Sequence, residues 1–265
     1  MTLFQALVLG VVQGLTEFLP VSSSGHLVLA NYYLGWGEGL ALSVDIATNT
    51  GTLLAVLIYL RSDVLLAIGG FFGGLRSAEG RTKPGWRLGL LVLAGSVPTA
   101  IIGLALSGLF EKLNTPLPVA IALAITGLIL WFAPKSGPKQ EIKQVTFRDA
   151  IVGGVVQGIA VIPGISRSGS TISALLGRGL DKELAPKLSF LMYLVVSFGV
   201  ALLGIREFDG SIGIAPLLVL MAASFAVGYA ALFVVFSLLR RGKFRVFSPY
   251  LWALSAFTLV HLYLR

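Results

Sequence analysis

The sequence contains no cysteine, and charged side chains are scarce in it. Only 12% of its 265 residues are Asp, Glu, Lys or Arg, whereas soluble domains carry about 25%. The absence of cysteine excludes disulfides and thiolate metal sites. The shortage of charge, together with a hydrophobic content of 56%, excludes an ordinary water-soluble domain.

Long apolar runs take the place of the missing charge. Several approach or exceed the ~17–25 residues that a helix needs to cross a bilayer. Examples are 88–109, 117–133, 184–204, 214–238 and 248–264. The sequence therefore predicts an all-α polytopic membrane protein. Its N-terminus, MTLFQALVLG, has no basic region and no cleavage site, so we predict no signal peptide.

The 20 Lys and Arg residues are distributed unevenly along the chain. Sixteen of them fall in four segments, 61–87, 134–148, 178–187 and 240–245. The others are Lys112, Arg167, Arg206 and Arg265. The positive-inside rule places the four basic segments in the cytoplasm. The net charge of +8 is thereby explained by topology and by contact with anionic membrane lipids, and we predict no nucleic-acid binding.

One 17-residue stretch occurs twice. The first copy, GVVQGLTEFLPVSSSGH, runs from Gly10 to His26, and the second, GVVQGIAVIPGISRSGS, runs from Gly154 to Ser170. Each copy is an apolar helix that is interrupted by a proline and then by a Ser/Gly cluster. Because neither half of such a broken helix is long enough to span a bilayer comfortably, we predict two re-entrant hairpins. The repeated Gly-x-x-x-Gly spacing in both copies favours close helix packing.

The basic segments lie on one side of the membrane only if both hairpins enter and leave on the same side. Three predicted spans separate the hairpins, and because three is odd, the hairpins enter from opposite faces. The sequence therefore predicts two inverted-topology repeats, 1–133 and 149–265, within one membrane domain, with the site near the midplane. The first repeat comprises hairpin 3–35 and spans 43–60, 88–109 and 117–133, and the second comprises hairpin 149–178 and spans 184–204, 214–238 and 248–264. The segment 61–87 is predicted to be a loop, because its paired glycines disfavour regular structure.

Arg167 is predicted to lie at membrane depth. An arginine there costs at least ~2.5 kcal/mol on insertion scales, so it needs a partner or a ligand. The surrounding hydroxyl groups belong to Ser166, Ser168, Ser170 and Thr171. A guanidinium, hydroxyls, glycine amides and the start of helix 170–178 together are typical of a phosphate site. The alternative is that Arg167 forms a structural ion pair with Glu17.

Glu17 lies four residues after Gln13, so both side chains share one helix face. Two oxygen-bearing side chains one turn apart suit a hard divalent cation such as Mg²⁺ or Ca²⁺. His26 lies three residues after Ser23, and an imidazole is the usual base for a hydroxyl or a water. Ser23 with His26 as base, His26 as the nucleophile, and His26 as base for a water are three alternatives. Asp45 either lines the mouth of the site or is a solvated acid at a helix end.

These motifs resemble those of the undecaprenyl-diphosphate phosphatase family, which is also known for bacitracin resistance. The first family motif has Glu or Gln, then Glu, then a Pro-Val-Ser-Ser stretch that ends in Gly-His; the second reads Pro-Gly-x-Ser-Arg-Ser-Gly. The first motif corresponds here to Gln13, Glu17, 20–23 and Gly25-His26. The second corresponds to residues 163–169. The resemblance runs over the whole chain. Two departures are Gln13, at a position that is often Glu, and the absence of an expected proline in 192–200.

The resemblance implies hydrolysis of a C55 polyprenyl diphosphate to the monophosphate on the outer, periplasmic face of the bacterial cytoplasmic (inner) membrane. This reaction recycles the lipid carrier for peptidoglycan synthesis. By motif position, Ser23 and His26 would deliver the attack, Glu17 would hold a divalent cation and Arg167 would bind the diphosphate. From the residues themselves we predict Gln13 as a second cation ligand, and further diphosphate ligands at Ser22, Ser24, Ser166, Ser168 and Thr171. The family also implies two re-entrant hairpins and six spans, and a homodimer is possible.

A different class of function is the main alternative. Inverted repeats with broken helices are typical of secondary carriers, so a transporter or flippase of an anion or a phosphorylated lipid would also use Arg167. The two functions differ at Glu17 and His26, because a carrier would tolerate replacement of His26 by Asn, whereas an enzyme should lose most of its turnover. A catalytically inactive homologue is a third alternative.

Overall fold

The computed structural model describes residues 1–36, 42–204 and 212–264. Within these ranges the chain forms helices and no strand. The α-helices are α1 (Leu3–Phe18), α2 (Ser23–Leu34), α3 (Leu42–Tyr59), α4 (Arg61–Arg76), α5 (Pro84–Ala105), α6 (Ser107–Leu113), α7 (Pro116–Phe132), α8 (Phe147–Ile159), α9 (Arg167–Gly177), α10 (Leu184–Gly204), α11 (Ile214–Arg240) and α12 (Phe247–Tyr263). Arg206 and Arg265, which entered the charge count, lie outside the described residues.

Several of these helices can cross a membrane. In the described part of the chain, four are long and apolar enough, namely Pro84–Ala105, Leu184–Gly204, Ile214–Arg240 and the extended last helix Phe244–Tyr263. The pair formed by α3 and α4, which is bent by 80°, adds a fifth if it is counted as one broken span. Helices α1 and α7 are apolar but shorter, at 16 and 17 residues. The protein is therefore an all-α polytopic membrane protein.

The prediction that 61–87 is a loop was wrong, because most of it forms α4. The paired glycines that suggested a loop instead allow α4 to pack closely on α5. A Cβ on Gly70 would collide with the backbone of Gly85, and a Cβ on Gly74 would collide with the ring of Trp86. Glycine costs a helix about 1 kcal/mol relative to alanine, and here the close contact between the two helices offsets that cost.

The glycines repeated in the two 17-residue copies also lie at helix crossings. Gly10 and Gly14 of α1 pack against α11, and Gly154 and Gly158 of α8 pack against α5. A Cβ on Gly14 would stand only 2.7 Å from the carbonyl oxygen of Ser224 in α11, closer than a real side chain tolerates. The prediction that these glycines serve close helix packing is thus confirmed.

Phe18 anchors the break that follows α1. Its ring is 1% exposed and packs edge-on against Phe190 at 5.6 Å and Tyr193 at 6.3 Å between ring centroids, both in α10. Edge-to-face pairs of this kind contribute about 0.5–1.5 kcal/mol beyond their burial. The end of α1 is therefore held beside α10, next to the polar residues described below.

Asp149, in the first turn of α8, ties that helix to its neighbours. Its side chain is fully buried. The carboxylate accepts hydrogen bonds from Lys139 Nζ at 2.5 Å, from Arg178 Nε at 2.9 Å and from the backbone N–H of Thr146 at 2.9 Å. Burial by itself would raise the pKa of Asp149, but hydrogen bonds from Lys139, Thr146 and Arg178 outweigh burial and lower the pKa to about 2. The carboxylate therefore stays ionised at neutral pH and joins the loop before α8 to the end of α9.

We expect the Asp149→Asn variant to be less stable than the wild type by about 1–3 kcal/mol, because Lys139 and Arg178 would lose their buried anionic acceptor. The measurement is thermal unfolding of the purified protein in detergent. Glu141→Gln is the matched control, since the Glu141–Lys143 pair is exposed on both sides and such pairs contribute little. Equal melting temperatures for the two variants would contradict this role of Asp149.

Candidate active site

The breaks of the two hairpins lie against each other. Ser22 Oγ in the first break accepts the backbone N–H of Gly164 in the second at 3.1 Å. In the other direction, Ser168 Oγ donates to the carbonyl oxygen of Leu19 at 3.4 Å. Gly164 has a φ of 90°, a left-handed conformation that glycine adopts readily. The two Ser/Gly clusters, 142 residues apart in sequence between Ser22 and Gly164, therefore form one continuous structure.

Two of the predicted phosphate ligands serve as helix caps. Ser22 Oγ accepts the N–H of Gly25 at 3.4 Å at the start of α2, and Ser166 Oγ accepts the N–H of Gly169 at 3.1 Å at the start of α9. Serine is a favoured N-cap because its oxygen satisfies an N–H that has no partner inside the helix. The exposures of Ser22 and Ser166 are only 4% and 1%. Both hydroxyls are thus engaged in holding the breaks.

Glu17 is the centre of a polar cluster beside these breaks. Its Oε2 accepts Ser23 Oγ at 2.5 Å and Gln13 Nε2 at 2.9 Å. Its Oε1 lies 3.3 Å from Nη2 of Arg167. The structure therefore brings together the carboxylate and hydroxyl of the first copy and the guanidinium of the second.

Arg167 is also held by α10. Its Cζ lies 4.7 Å from the ring centroid of Tyr193, a cation–π geometry, and its Nη1 donates to Ser197 Oγ at 3.3 Å. Sequence reasoning missed both residues. The available signal was their spacing, since Tyr193 and Ser197 are polar groups one turn apart on an otherwise apolar span, where polar side chains mark functional surfaces.

A small cavity adjoins the cluster. Its volume is about 10 Å³, which is room for about one water molecule. It is lined by Glu17, Phe18, Gln157, Arg167, Ser168, Ser189, Phe190 and Tyr193. A diphosphate does not fit this space, so the arrangement is a closed one.

His26 is not hydrogen-bonded to Ser23. Its Nδ1 lies 2.8 Å from the carbonyl oxygen of Ser22, and its Nε2 lies 2.7 Å from the hydroxyl of Tyr250. The hydroxyl of Ser23 instead donates to Glu17. The side chain in contact with the Ser23 hydroxyl is therefore that of Glu17, whereas the sequence had pointed to His26 as its base. The motif spacing could not reveal this, because a helix break lies between Glu17 and Ser23.

The remaining predicted residues lie at the edge of the cluster or outside it. Thr171 is fully buried, and its hydroxyl has no hydrogen-bond partner among the described residues. Ser24 Oγ lies 3.4 Å from Ser22 Oγ. Asp45 accepts Asn49 Nδ2 at 3.1 Å, and Asn49 Oδ1 lies 3.5 Å from Gln13 Nε2. Asp45 is thus joined to Glu17 through two amide side chains, of which Asn49 was not predicted.

Residues 6–257 match the family model of the bacitracin resistance protein BacA. The chain belongs to the BacA family. Proteins called undecaprenyl-diphosphatase are similar over nearly its whole length. The one from Acaryochloris marina (strain MBIC 11017) is 61% identical over 98% of both chains. The one from Carboxydothermus hydrogenoformans is 44% identical over 98% of this chain and 97% of its own length. The one from Moorella thermoacetica is 37% identical over 100% of both chains.

In this BacA-family chain, the described residues contain no group of three or more His, Cys, Asp or Glu side chains that could hold a metal ion. Gln13 donates a hydrogen bond from its Nε2 to Glu17. Because the amide nitrogen, and not the amide oxygen, faces the carboxylate, the two side chains do not direct their oxygens at a common point. Their oxygens could provide part of the ligand set of Mg²⁺, which usually takes one or two carboxylates and completes its shell with substrate phosphates and water. By themselves the described residues therefore form no preformed cation site, and a phosphorylated ligand would have to bring most of the ligands of a cation bound here.

We expect Ser22→Ala to destabilise this BacA-family protein by about 1–3 kcal/mol, because the buried N–H of Gly164 would lose its acceptor. Ser24→Ala is the matched control, since among the described residues its hydroxyl hydrogen-bonds only with that of Ser22. Thermal unfolding in detergent measures both. A Ser22→Ala protein as stable as the Ser24→Ala protein would show that the Ser22–Gly164 bond does not hold the two breaks together.

Proposed function

We propose that this chain hydrolyses undecaprenyl diphosphate to undecaprenyl phosphate and phosphate. It does so in the bacterial inner membrane, at a site open to the periplasmic face, and thereby recycles the lipid carrier of cell-wall synthesis and confers resistance to bacitracin. The observation that carries the proposal is the 2.5 Å hydrogen bond from Ser23 to Glu17 beside Arg167, in a chain 61% identical to a protein called undecaprenyl-diphosphatase.

The reaction follows from these contacts in two steps. Ser23 Oγ attacks the terminal phosphorus while its proton passes to Glu17, the bond to the bridging oxygen breaks, and undecaprenyl phosphate leaves. A water then attacks the phosphoserine, the P–Oγ bond breaks, and Glu17 returns the proton to Ser23; the departing phosphate keeps one proton of the water, and the other passes to a second base. Such covalent catalysis replaces one difficult displacement with two easier ones. Arg167, with Ser168 beside it, neutralises charge on the transferred phosphoryl group, where electrostatics and positioning dominate the rate.

The Arg167–Glu17 ion pair gives the site a resting state that substrate can open. The side chain of Arg167 is 34% exposed, whereas that of Glu17 is 4% exposed, so an incoming diphosphate reaches the guanidinium first. As Arg167 turns to the phosphate, Oε1 of Glu17 becomes free, while Oε2 remains the acceptor for the Ser23 proton. The structural ion pair considered from sequence is thus, in this proposal, the closed form of the catalytic site.

The transporter alternative uses less of what the structure contains. A carrier of anions or of lipid phosphates needs the cationic group of Arg167, but it has no use for a hydroxyl bonded to a buried carboxylate. The Ser23–Glu17 pair is the arrangement of an activated nucleophile with its base. It therefore favours the enzyme.

We also propose that residues 1–133 and 149–265 are inverted repeats, each beginning with a re-entrant hairpin (3–35 and 149–178). In a pair of repeats related by a two-fold axis, each contact from the first half to the second has a counterpart from the second half to the first, and the helix contacts follow this pattern. Helix α1 packs most extensively on α11, whereas its counterpart α8 packs most extensively on α5. The last helices of the two halves, α7 and α12, pack on each other. With the basic segments in the cytoplasm, this arrangement opens the site to the outer face.

A divalent cation, Mg²⁺ or Ca²⁺, is part of the proposal as a partner of the diphosphate. Glu17 and the amide oxygen of Gln13 would hold it together with the substrate's phosphate oxygens. When bound, such a cation supplies further neutralisation of phosphate charge.

The principal test measures phosphate release from a C55 diphosphate by the purified protein. We expect Glu17→Gln to lose about 10²–10⁴-fold in kcat, because it removes the base, and Ser23→Ala to lose at least as much. Acid quench during turnover should trap a phosphoryl group on Ser23. Glu141→Gln and Ser107→Ala, which make the same chemical changes at exposed positions, should keep wild-type activity. A trapped adduct on His26, or full activity of Ser23→Ala, would disprove the assignment of the nucleophile.

The cation is tested separately. We expect EDTA to suppress phosphate release and added Mg²⁺ or Ca²⁺ to restore it. Gln13→Glu should lower the cation concentration that gives half-maximal activity, because it places a second carboxylate one turn from Glu17. Activity that is indifferent to EDTA would remove the cation from the proposal and leave the roles of Ser23 and Glu17 untouched.

A further inference from the structure

Tyr250 of α12 contacts His26 of α2 across 224 residues of sequence. Its hydroxyl lies 2.7 Å from Nε2 of the imidazole, and the two rings are stacked, with centroids 5.7 Å apart and planes inclined by 14°. Tyr250 is 48% exposed, so the contact is not forced by dense packing around the phenol. The reaction as described above gives Tyr250 no role.

The two hydrogen bonds of His26 determine where its proton lies. The atom facing Nδ1 is the carbonyl oxygen of Ser22, and a carbonyl oxygen can only accept. The neutral imidazole therefore carries its proton on Nδ1. Nε2 is then the basic nitrogen, and the hydroxyl of Tyr250 is its donor. A phenol also accepts hydrogen bonds, so the pairing can persist when the imidazole is protonated.

The first proton of the reaction does not need His26, because Ser23 gives it to Glu17. The second proton comes from the water that hydrolyses the phosphoserine. Its oxygen bonds to phosphorus while its proton passes to a base, and His26, three residues after Ser23 at the start of α2, offers Nε2 as a base in the correct tautomer. A histidine in this role requires a fixed tautomer and ring orientation, and a group bonded to the ring commonly supplies both.

We propose that Tyr250 is a positioning residue that orients the ring of His26, whose tautomer the carbonyl oxygen of Ser22 fixes, so that Nε2 takes the proton of the hydrolytic water. This inference rests on the phosphatase function proposed above and names a residue from the second half of the chain for that reaction. The hydroxyl holds Nε2 in place in the resting site, and the stacked ring keeps the imidazole oriented when water displaces the hydroxyl from Nε2.

The test uses Tyr250→Phe, which removes the hydroxyl and keeps the ring. We expect kcat to fall about tenfold, the equivalent of one hydrogen bond, with KM changed by less than twofold. Tyr33→Phe is the matched control, because the Tyr33 hydroxyl donates to Thr258 Oγ1 at 3.2 Å and so also bridges α2 and α12. It should keep wild-type kcat and KM. An equal loss in both variants would show that the hydroxyls only support the contact between the two helices and would overturn the proposal.

A spectroscopic measurement tests the pairing without activity. The chain contains only two histidines, so ¹⁵N-histidine NMR of the full-length protein, with His261→Gln for assignment, resolves the tautomer of His26. We expect the Nδ1–H form in all three proteins, and a downfield shift of the Nε2 resonance in Tyr250→Phe, which loses the hydrogen bond to that nitrogen, but not in Tyr33→Phe. An unchanged Nε2 resonance in Tyr250→Phe would overturn the proposal. If wild-type protein released no phosphate, the proposed function would fail, and the NMR comparison would still decide whether Tyr250 holds Nε2 of His26.

Discussion

A carboxylate buried in an apolar protein needs a cationic partner, and this constraint governs the centre of the molecule. Arg167 and Glu17 belong to different hairpins, and they meet at 3.3 Å. Removing one partner of such a pair leaves an uncompensated charge, which costs several kcal/mol. The two breaks therefore have to lie side by side. Two hydrogen bonds hold them there, one between Gly164 N–H and Ser22 Oγ and the other between Ser168 Oγ and the carbonyl oxygen of Leu19.

Close helix contact makes that meeting possible. Glycines at equivalent places of the two 17-residue copies allow α1 to approach α11 and α8 to approach α5. The copies thus share the features that build the scaffold and differ in the groups that do the chemistry. Glu17, Ser23 and His26 come from one copy, and Arg167 comes from the other. Neither hairpin contains a complete site alone.

The same ion pair connects structure to the proposed reaction. A diphosphate that takes over Arg167 separates the ion pair and frees Oε1 of Glu17, while Oε2 keeps its contact with Ser23. The small cavity next to the pair, of about 10 Å³, fits a closed state that substrate widens, and the contacts of Arg167 with Tyr193 and Ser197 hold the guanidinium close by during the exchange.

Local pattern determined much about this protein. The scarcity of charge and the long apolar runs establish a helical membrane protein, because the bilayer admits few other structures. The proline and Ser/Gly clusters predict where the two hairpins break, and the side chains gathered there are those of phosphate chemistry. The prediction that 61–87 is a loop failed because the sequence does not distinguish paired glycines in an irregular loop from paired glycines that allow two helices to pack closely.

Only the tertiary structure decided which groups touch. It paired Ser23 with Glu17 and turned His26 towards Tyr250, and it engaged Ser22 and Ser166 as helix caps. It also buried Asp149 between Lys139 and Arg178. The physical reason is distance along the chain. Residue spacing predicts neighbours within a helix, whereas contacts across a break, or across 224 residues, depend on how whole helices pack.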